Sequence, residues 1–421
     1  METMPRIADE NDDRLDAPID HSERLINKAS QAILFAVGLA VIMAAVVGAG
    51  LGADASQDTS GARLGGDFPA FYAAGSIVWD GDIDSLYDPA RQQAAQDELG
   101  LDGYLAFAYP PHVALAYAPL GGIGFQVAYL IHTIVMAAAF GLAVWLITPM
   151  VPLLKRWRWP LLAASFTFFP LISAVGGGQN AAISVLLLAG IWRALHEDRE
   201  VLAGIAIGLL VYRPQYALPM IGLVLLSKHW RAVIASISTI VATWVLTAST
   251  RGVGWFGEWF EQVGPFIERD AEVNATNSIS FLGFLQAALS ADSMVALVAG
   301  VTLAVGVVAT LMFLWVNPER FSLAQRMGAA AVGIILISPH TMFYDASLIL
   351  IAGAALLAES EVVPVRVLAV LWLGALTHTF SKDLGATPLA IVVTAVFVAF
   401  VLRALSVGSV AELSMANKEL A

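Results

Sequence analysis

The sequence predicts an all-α, polytopic integral membrane protein, and three observations carry that expectation. Of 421 residues, 58% are hydrophobic and 13% charged, where soluble domains hold roughly 25% charged residues. The mean hydropathy is +0.74. The charges gather into clusters, leaving uncharged runs of 25 residues at 29–53, 52 at 103–154 and 34 at 159–192. About 20 apolar residues cross a bilayer core, so each run has room for one helix or more.

Residues 1–28 hold eight carboxylates against Arg6, Arg14, Arg24 and Lys28, an acidic tail that stays in solvent. The apolar run behind it exceeds the roughly 7–15 residues of a signal-peptide core, so 32–53 is expected to remain as the first helix. Further crossings are expected at 124–148, 159–174, 180–195, 201–212, 215–227, 232–250, 294–316, 327–339, 343–358, 367–380 and 388–405. That makes about twelve transmembrane or half-membrane helices in a domain at 29–405, followed by a tail at 406–421. With the N-terminus inside, sixteen of the 22 Lys and Arg residues fall on the inner side. By the positive-inside rule both termini are then cytoplasmic.

The crossings at 201–212 and 215–227 have about a dozen residues each, too few for an upright span. The short pairs meet on the outer side at polar turns: Gly176-Gly177-Gly178-Gln179-Asn180, Arg213-Pro214-Gln215 and Ser338-Pro339-His340. Irregular backbone at membrane depth survives only where protein or a water-filled cavity satisfies it. One outward-opening polar cavity is therefore expected where the three turns converge. Two outer loops are long. The first, at 54–105, carries ten acids and two arginines between Asp54 and Asp102, and contains Phe68-Pro69-Ala70-Phe71-Tyr72, which reads as a short helix on the membrane surface. The second, at 251–290, opens with Trp255, Phe256, Trp259 and Phe260, an interfacial aromatic cluster.

Composition excludes several chemistries. Without cysteine there is no disulfide framework, zinc–thiolate site or iron–sulfur cluster. A net charge of −12 and no basic stripe longer than Lys155-Arg156-Trp157-Arg158 argue against nucleic acid as a partner. The glycine-rich phosphate loop, the dinucleotide fingerprint and Gly-x-Ser-x-Gly are absent, so nucleotide chemistry has no local support.

Five constellations remain. Gly65-Gly66-Asp67-Phe68 sets a carboxylate at a helix start near the bilayer edge, either as a general base for a hydroxyl group or as a helix cap. Tyr109-Pro110-Pro111-His112 reads as a cavity wall or as a chain break. Gly178-Gln179-Asn180 opens a helix, and Arg213-Pro214-Gln215 supplies the only charge between Glu200 and Lys228. A helix N-terminus and an arginine fork can hold a phosphate, while an arginine can also snorkel to the interface. In Ser338-Pro339-His340-Thr341-Met342-Phe343-Tyr344-Asp345, His340 can donate to a phosphate oxygen and Asp345 can orient it or bind backbone. A metal site would need a third ligand that the sequence does not place. No cofactor is expected. On the outer face of a membrane, a transferase has no nucleotide-sugar supply and must draw on a lipid-carried donor.

In order, these motifs resemble glycosyltransferase family 87, polytopic polyprenyl-phosphate-sugar-dependent transferases that include mannosyltransferases. The residues carrying the resemblance are Gly66-Asp67-Phe68 with Tyr72 and Ala73, Leu86-Tyr87, and Tyr109-Pro110-Pro111 with Ala118-Pro119-Leu120. They continue with Gly178-Gln179-Asn180 and Leu186-Leu187-Leu188, Ala203-Gly204 with Arg213-Pro214-Gln215, Ser338-Pro339-His340, and Tyr344-Asp345. The resemblance implies the C-type glycosyltransferase fold, with a catalytic acid in the first outer loop, here Asp67. It implies an inverting, metal-independent transfer of a hexose, mannose being the common case, from a polyprenyl-phosphate donor to a lipid or glycan acceptor. The site would face the periplasm of a bacterial inner membrane.

Arg213 and His340 are then candidates for holding the donor phosphate, and Tyr72, Tyr109, His112, Gln179, Asn180, Gln215, Tyr344 and Asp345 for lining the cavity. Arg213 stands where many relatives have lysine, which exchanges a point charge for a fork. Two other readings fit the broken helices and the outer-face chemistry: a secondary transporter, and an undecaprenyl-linked oligosaccharide polymerase or ligase.

Overall fold

A computed structural model describes residues 66–99, 105–360 and 365–419, and the first crossing at 32–53 and the acidic tail lie outside them. Among the described residues the regular structure is helical, with one isolated antiparallel bridge between Ser278 and Met342. Four helices are long and apolar enough to cross a membrane. They are α4 (Phe125–Ile147, extended by a 3-10 turn to Met150), α10 (Trp230–Arg251), α13 (Met294–Val316) and the first part of α17 (Leu389–Glu419). Their outer faces expose large apolar side chains, among them Val127, Leu130 and Ile134 on α4, Ile234 and Val245 on α10, and Val295 and Val305 on α13. So wide an apolar surface is stable only against lipid or another apolar partner. The chain is thus a polytopic membrane protein.

The expected crossing at 159–174 is corrected. It is two helices, α5 (Pro152–Phe166) and α6 (Phe169–Gly176), bent by 66° at the break between them. Pro170 is the cause: it has no N–H to continue the helical ladder, and the chain ahead of it is extended at Phe168 (φ −71°, ψ 115°). The bend is sealed from the side by Trp372, whose Nε1 donates to the Ala164 carbonyl (3.2 Å) and the Thr167 hydroxyl (3.0 Å). α16 (Val365–Leu376) carries that tryptophan.

Further apolar segments are short helices: α7 (Ala181–His196), α14 (Leu323–Ile337) and α15 (Ile349–Ala358), which are largely buried, and α8 (Glu200–Leu209) and α9 (Pro214–Leu226), which keep Val201, Leu202 and Leu218 exposed on one face. At 1.5 Å per residue, α8 is about 15 Å long, half the thickness of a bilayer core. α14 is the central element, buried continuously from Gln325 to Leu336 and flanked by α13, α15 and α17. It starts in a capping box, where Ser322 and Gln325 satisfy each other's backbone N–H groups.

In the segment expected as the first outer loop, the helix α1 (Phe68–Trp79) is enclosed by protein: Phe68, Phe71, Ala74 and Ile77 are fully or almost fully buried. It packs along α3 (Pro111–Gly121) and beside α2 (Pro89–Asp97). The contact is backbone on backbone: a β-carbon at Gly121 would sit 2.3 Å from the Ser76 nitrogen, so only glycine fits. α11 (Trp255–Val273) and α12 (Phe281–Leu289) occupy the segment expected as the second outer loop.

Candidate active site

Two of the three polar turns, Gly176–Asn180 and Arg213–Gln215, meet directly, and Asp345, five residues past His340, joins them; hydrogen bonds trace how. Asp67 occupies the position that precedes α1, yet its side chain makes no cap to that helix. Its carboxylate instead accepts a hydrogen bond from the side-chain amide of Gln179, while its backbone N–H donates to the Gly177 carbonyl (2.9 Å). Gly66 makes that approach feasible. It has φ +45°, and a β-carbon there would lie 2.5 Å from the Gly177 oxygen. The sequence leaves open a capping role for Asp67; the geometry gives its carboxylate to the turn between α6 and α7.

The next residue along that turn, Asn180, reaches the second motif. Its Oδ1 accepts from Arg213 Nη2 (2.9 Å) and Nε (3.2 Å). Arg213 is 4% exposed. Its Nη1 also donates to Asp345 in a direct ion pair and to the Tyr216 hydroxyl (3.3 Å), and Nη2 to the Tyr109 hydroxyl (3.3 Å). A guanidinium has five N–H groups, and each has a partner here. Asp345, in the 3-10 segment Phe343–Leu348, uses its other oxygen to accept from the Met342 backbone (3.0 Å). Asp67, Gln179, Asn180, Arg213 and Asp345 thus form one chain of contacts across four motifs far apart in sequence.

His340 closes the cluster from the side of α11. Its Nδ1 lies 3.3 Å from Asp270 on α11, and its ring meets Phe266 edge-on at 5.4 Å. Asp270 and Phe266 belong to none of the sequence motifs, and Trp259 stands out in the sequence only as one of an interfacial aromatic cluster. Their signal is helical periodicity: 259, 266 and 270 share one face. That face is turned to the protein, with Trp259 Nε1 donating to the Ala108 carbonyl (2.9 Å).

Burial sets the electrostatics. The Asp67 carboxyl is pushed up to about 6, chiefly by desolvation, with Asp270 adding to the rise and the Gln179 hydrogen bond and Arg213 opposing it. The His340 imidazole is pushed below its ordinary value, again by desolvation, against the pull of Asp270 and Asp345. The first is a carboxylate that changes charge near neutrality, as a general base must. Among the described residues no three imidazole or carboxylate groups cluster as metal ligands would.

Of the other expected lining residues, Tyr109 joins the Arg213 cluster, and Tyr344 stands within electrostatic reach of Asp67, Asp345 and Arg213. Three do not join by any contact. The Tyr72 hydroxyl donates to the Ile123 carbonyl (2.7 Å). His112 encloses both ring nitrogens without a partner in the first turn of α3, and Gln215 makes no side-chain hydrogen bond among the described residues. Tyr212, outside the expected set, braces the turn through Ser184 (2.6 Å) and the Asn180 carbonyl (3.2 Å).

No curated protein and no solved structure matches this chain. The model of glycosyltransferase family 87 matches residues 107–339. That stretch contains Tyr109, the Gln179–Asn180 turn, Arg213 and Asp270, and ends one residue before His340; Asp67 lies ahead of it. More than half of the sequence falls in the match, which sets aside the transporter reading: the chain belongs to glycosyltransferase family 87 and is a membrane glycosyltransferase.

Proposed function

We propose that this enzyme moves a hexose, mannose in the first instance, from a polyprenyl-phosphate donor to a lipid or glycan acceptor at the periplasmic face of a bacterial inner membrane. Asp67 is the general base of an inverting transfer. The observation that carries the reading is a buried carboxylate, free of its helix and fixed by Gln179, that ionises near neutrality within electrostatic reach of the buried Arg213 guanidinium. The donor phosphate would lie at the interface with its polyprenyl chain between helices of a C-type fold, and both termini would be cytoplasmic.

The chemistry follows from the groups present. Asp67 accepts the proton of the acceptor hydroxyl as its oxygen bonds to the anomeric carbon from the face opposite the leaving group. The bond from that carbon to the phosphate oxygen breaks, and polyprenyl phosphate departs with the electron pair. General-base assistance contributes about 10²–10⁴-fold, and stabilisation of the leaving phosphate often contributes more.

Arg213 and His340 are the groups assigned to that phosphate. Arg213 already faces Asp345, so its charge is balanced, and its longest bonds, to the tyrosine hydroxyls at 3.3 Å, are those a phosphate oxygen would replace. His340, held through Nδ1, would present its other nitrogen and gain a proton as the anion arrives. The reading needs no metal or other cofactor.

Asp67→Asn tests it. Purified in lipid and given a panel of polyprenyl-phosphate sugars, the variant is expected to lose at least about 10²-fold in transfer measured by mass spectrometry, with insertion retained and no loss of stability. Turnover within a few-fold of the wild type would overturn the assignment. Movement of a whole glycan instead of one sugar would favour a polymerase or ligase.

A further inference from the structure

At the end of the bundle opposite the site, a second buried arginine has no counter-charge among the described residues. Arg326 lies in the first turn of α14, about 16 Å along that helix from Ile337 and the Ser338-Pro339-His340 turn. It is 8% exposed. Its Nε and Nη1 are enclosed and make no hydrogen bond, and no described carboxylate forms a salt bridge with it. Its guanidinium rests on the ring of Trp315 (5.4 Å), whose own Nε1 donates to the Arg326 carbonyl (3.3 Å). The nearby acid does not help: Glu359 is taken up by Ser322 and by Gln325 (3.1 Å). A buried cation without an anion is strongly disfavoured, so a partner from outside the described residues is required.

Position indicates its chemistry. Trp315 is the penultimate residue of a 23-residue span, and Asn317, Pro318, Glu319 and Arg320 follow, so Arg326 sits at the depth of the headgroup layer. Phe313 and Val316 on the same turn are 42% and 48% exposed, so the junction opens toward lipid. Lys228, just beyond α9, is close by, since Ser227 donates to the Trp315 carbonyl (2.7 Å). A phosphate oxygen fits a guanidinium bidentately, and an anionic headgroup at this depth supplies one. We propose that the junction of α9, α13 and α14 around Arg326 is a binding site for the phosphate of an anionic phospholipid, separate from the transfer site.

The full chain in neutral detergent, titrated with dioleoylphosphatidylglycerol, is expected to gain on the order of 5 °C in unfolding midpoint. Dioleoylphosphatidylcholine should give less than half of that. Arg326→Gln should lose the difference between the two lipids and Arg326→Lys retain most of it. Equal responses to the two lipids, or an undiminished response in Arg326→Gln, would overturn the proposal. So would inorganic phosphate reproducing the full shift, which would make the site one for a free anion. A difference between the two lipids that appears only after residues 1–28 are deleted would also overturn it, with the acidic tail as the counter-charge. If Arg326→Gln does not fold, native mass spectrometry of the wild type decides: selective retention of phosphatidylglycerol supports the site, and equal retention of both lipids refutes it.

Discussion

Arg213 and Arg326 are two guanidiniums of nearly equal burial, 4% and 8% exposed, at opposite ends of the helical bundle. At the transfer site every N–H of Arg213 is met by Asp345, Asn180, Tyr109 or Tyr216. At the other end Arg326 meets an indole face, and its enclosed Nε and Nη1 find no acceptor among the described residues. Burial alone therefore says little about what a charge does. The paired arginine fixes geometry, because four side chains from four segments are held by one planar fork. The unpaired one marks where the protein is completed by something outside it.

The sharpest way to break this contrast is to remove each arginine in turn. Arg213→Met leaves the Asp345 carboxylate buried beside three tyrosines with no cation, a defect of about 3–5 kcal/mol. It should unfold the protein or lower its yield severely. Arg213→Met with Asp345→Leu removes the stranded charge, so much of the stability should return while transfer stays lost. Arg326→Met, measured in neutral detergent, should cost little or even stabilise, since it deletes a cation that lacked a partner there. Unfolding midpoints of the three variants on one scale decide the matter. Equal losses at 213 and 326 would mean that pairing is not what distinguishes the two ends.

A smaller effect is expected one bond further along the site. Gln179 donates to Asp67 and thereby lowers its pKa, against the larger rise from burial that leaves it about 6. As a general base Asp67 works when ionised, so kcat/KM should climb with pH through about 6. Gln179→Leu removes the lowering contact, and the midpoint should move up. For each unit of movement, the rate at pH 6 falls by up to about tenfold while the rate at pH 8 changes less. An unmoved midpoint would detach Gln179 from the base. Stability carries the opposite sign. A carboxyl whose folded pKa is raised above 3.8 contributes stability that is fully present below that value and is lost as pH rises through about 6. Asp67→Asn should thus be more stable than the wild type at pH 8 and gain nothing at pH 3.5.

Much of this is legible in the chain, for identifiable reasons. Long apolar runs predict α4, α10, α13 and the start of α17, because membrane thickness translates directly into residue count. Turn residues at Gly176–Asn180, Arg213–Pro214 and Ser338–His340 predict convergence, because polar backbone at membrane depth needs company. The 66° break between α5 and α6 escapes such a reading, although Pro170 announces it, because composition averaged over a window conceals a single missing N–H. The burial of α1 against protein is not legible because its partner, α3, lies some 40 positions away and the Gly75–Gly121 contact that joins them has no local pattern. Asp270 is invisible for a similar reason: an acid on an amphipathic helix reads as solvated until its face is known. Which cations are paired is also beyond the sequence. Arg213 stands out by isolation, while Arg326 is one of sixteen counted toward topology.

The least effect is expected where α11 touches the chain ahead of α3. Trp259 donates from Nε1 to the Ala108 carbonyl at 2.9 Å, and its ring lies against Phe256 at 5.7 Å. Trp259→Phe keeps most of the apolar contact and deletes one hydrogen bond, for which about 1 kcal/mol is expected. The tether holds the same face of α11 that presents Asp270 to His340, so the loss should be felt as easier local opening. Amide exchange over 255–273 should quicken several-fold, the global unfolding midpoint should fall only slightly, and kcat should stay within about twofold. A loss comparable to that of Arg213→Met would place α11 inside the paired network instead of at its edge. Unchanged exchange would show that α11 is held by Arg251 instead, which bonds Glu258 and the backbone of Ile83 and Asp84.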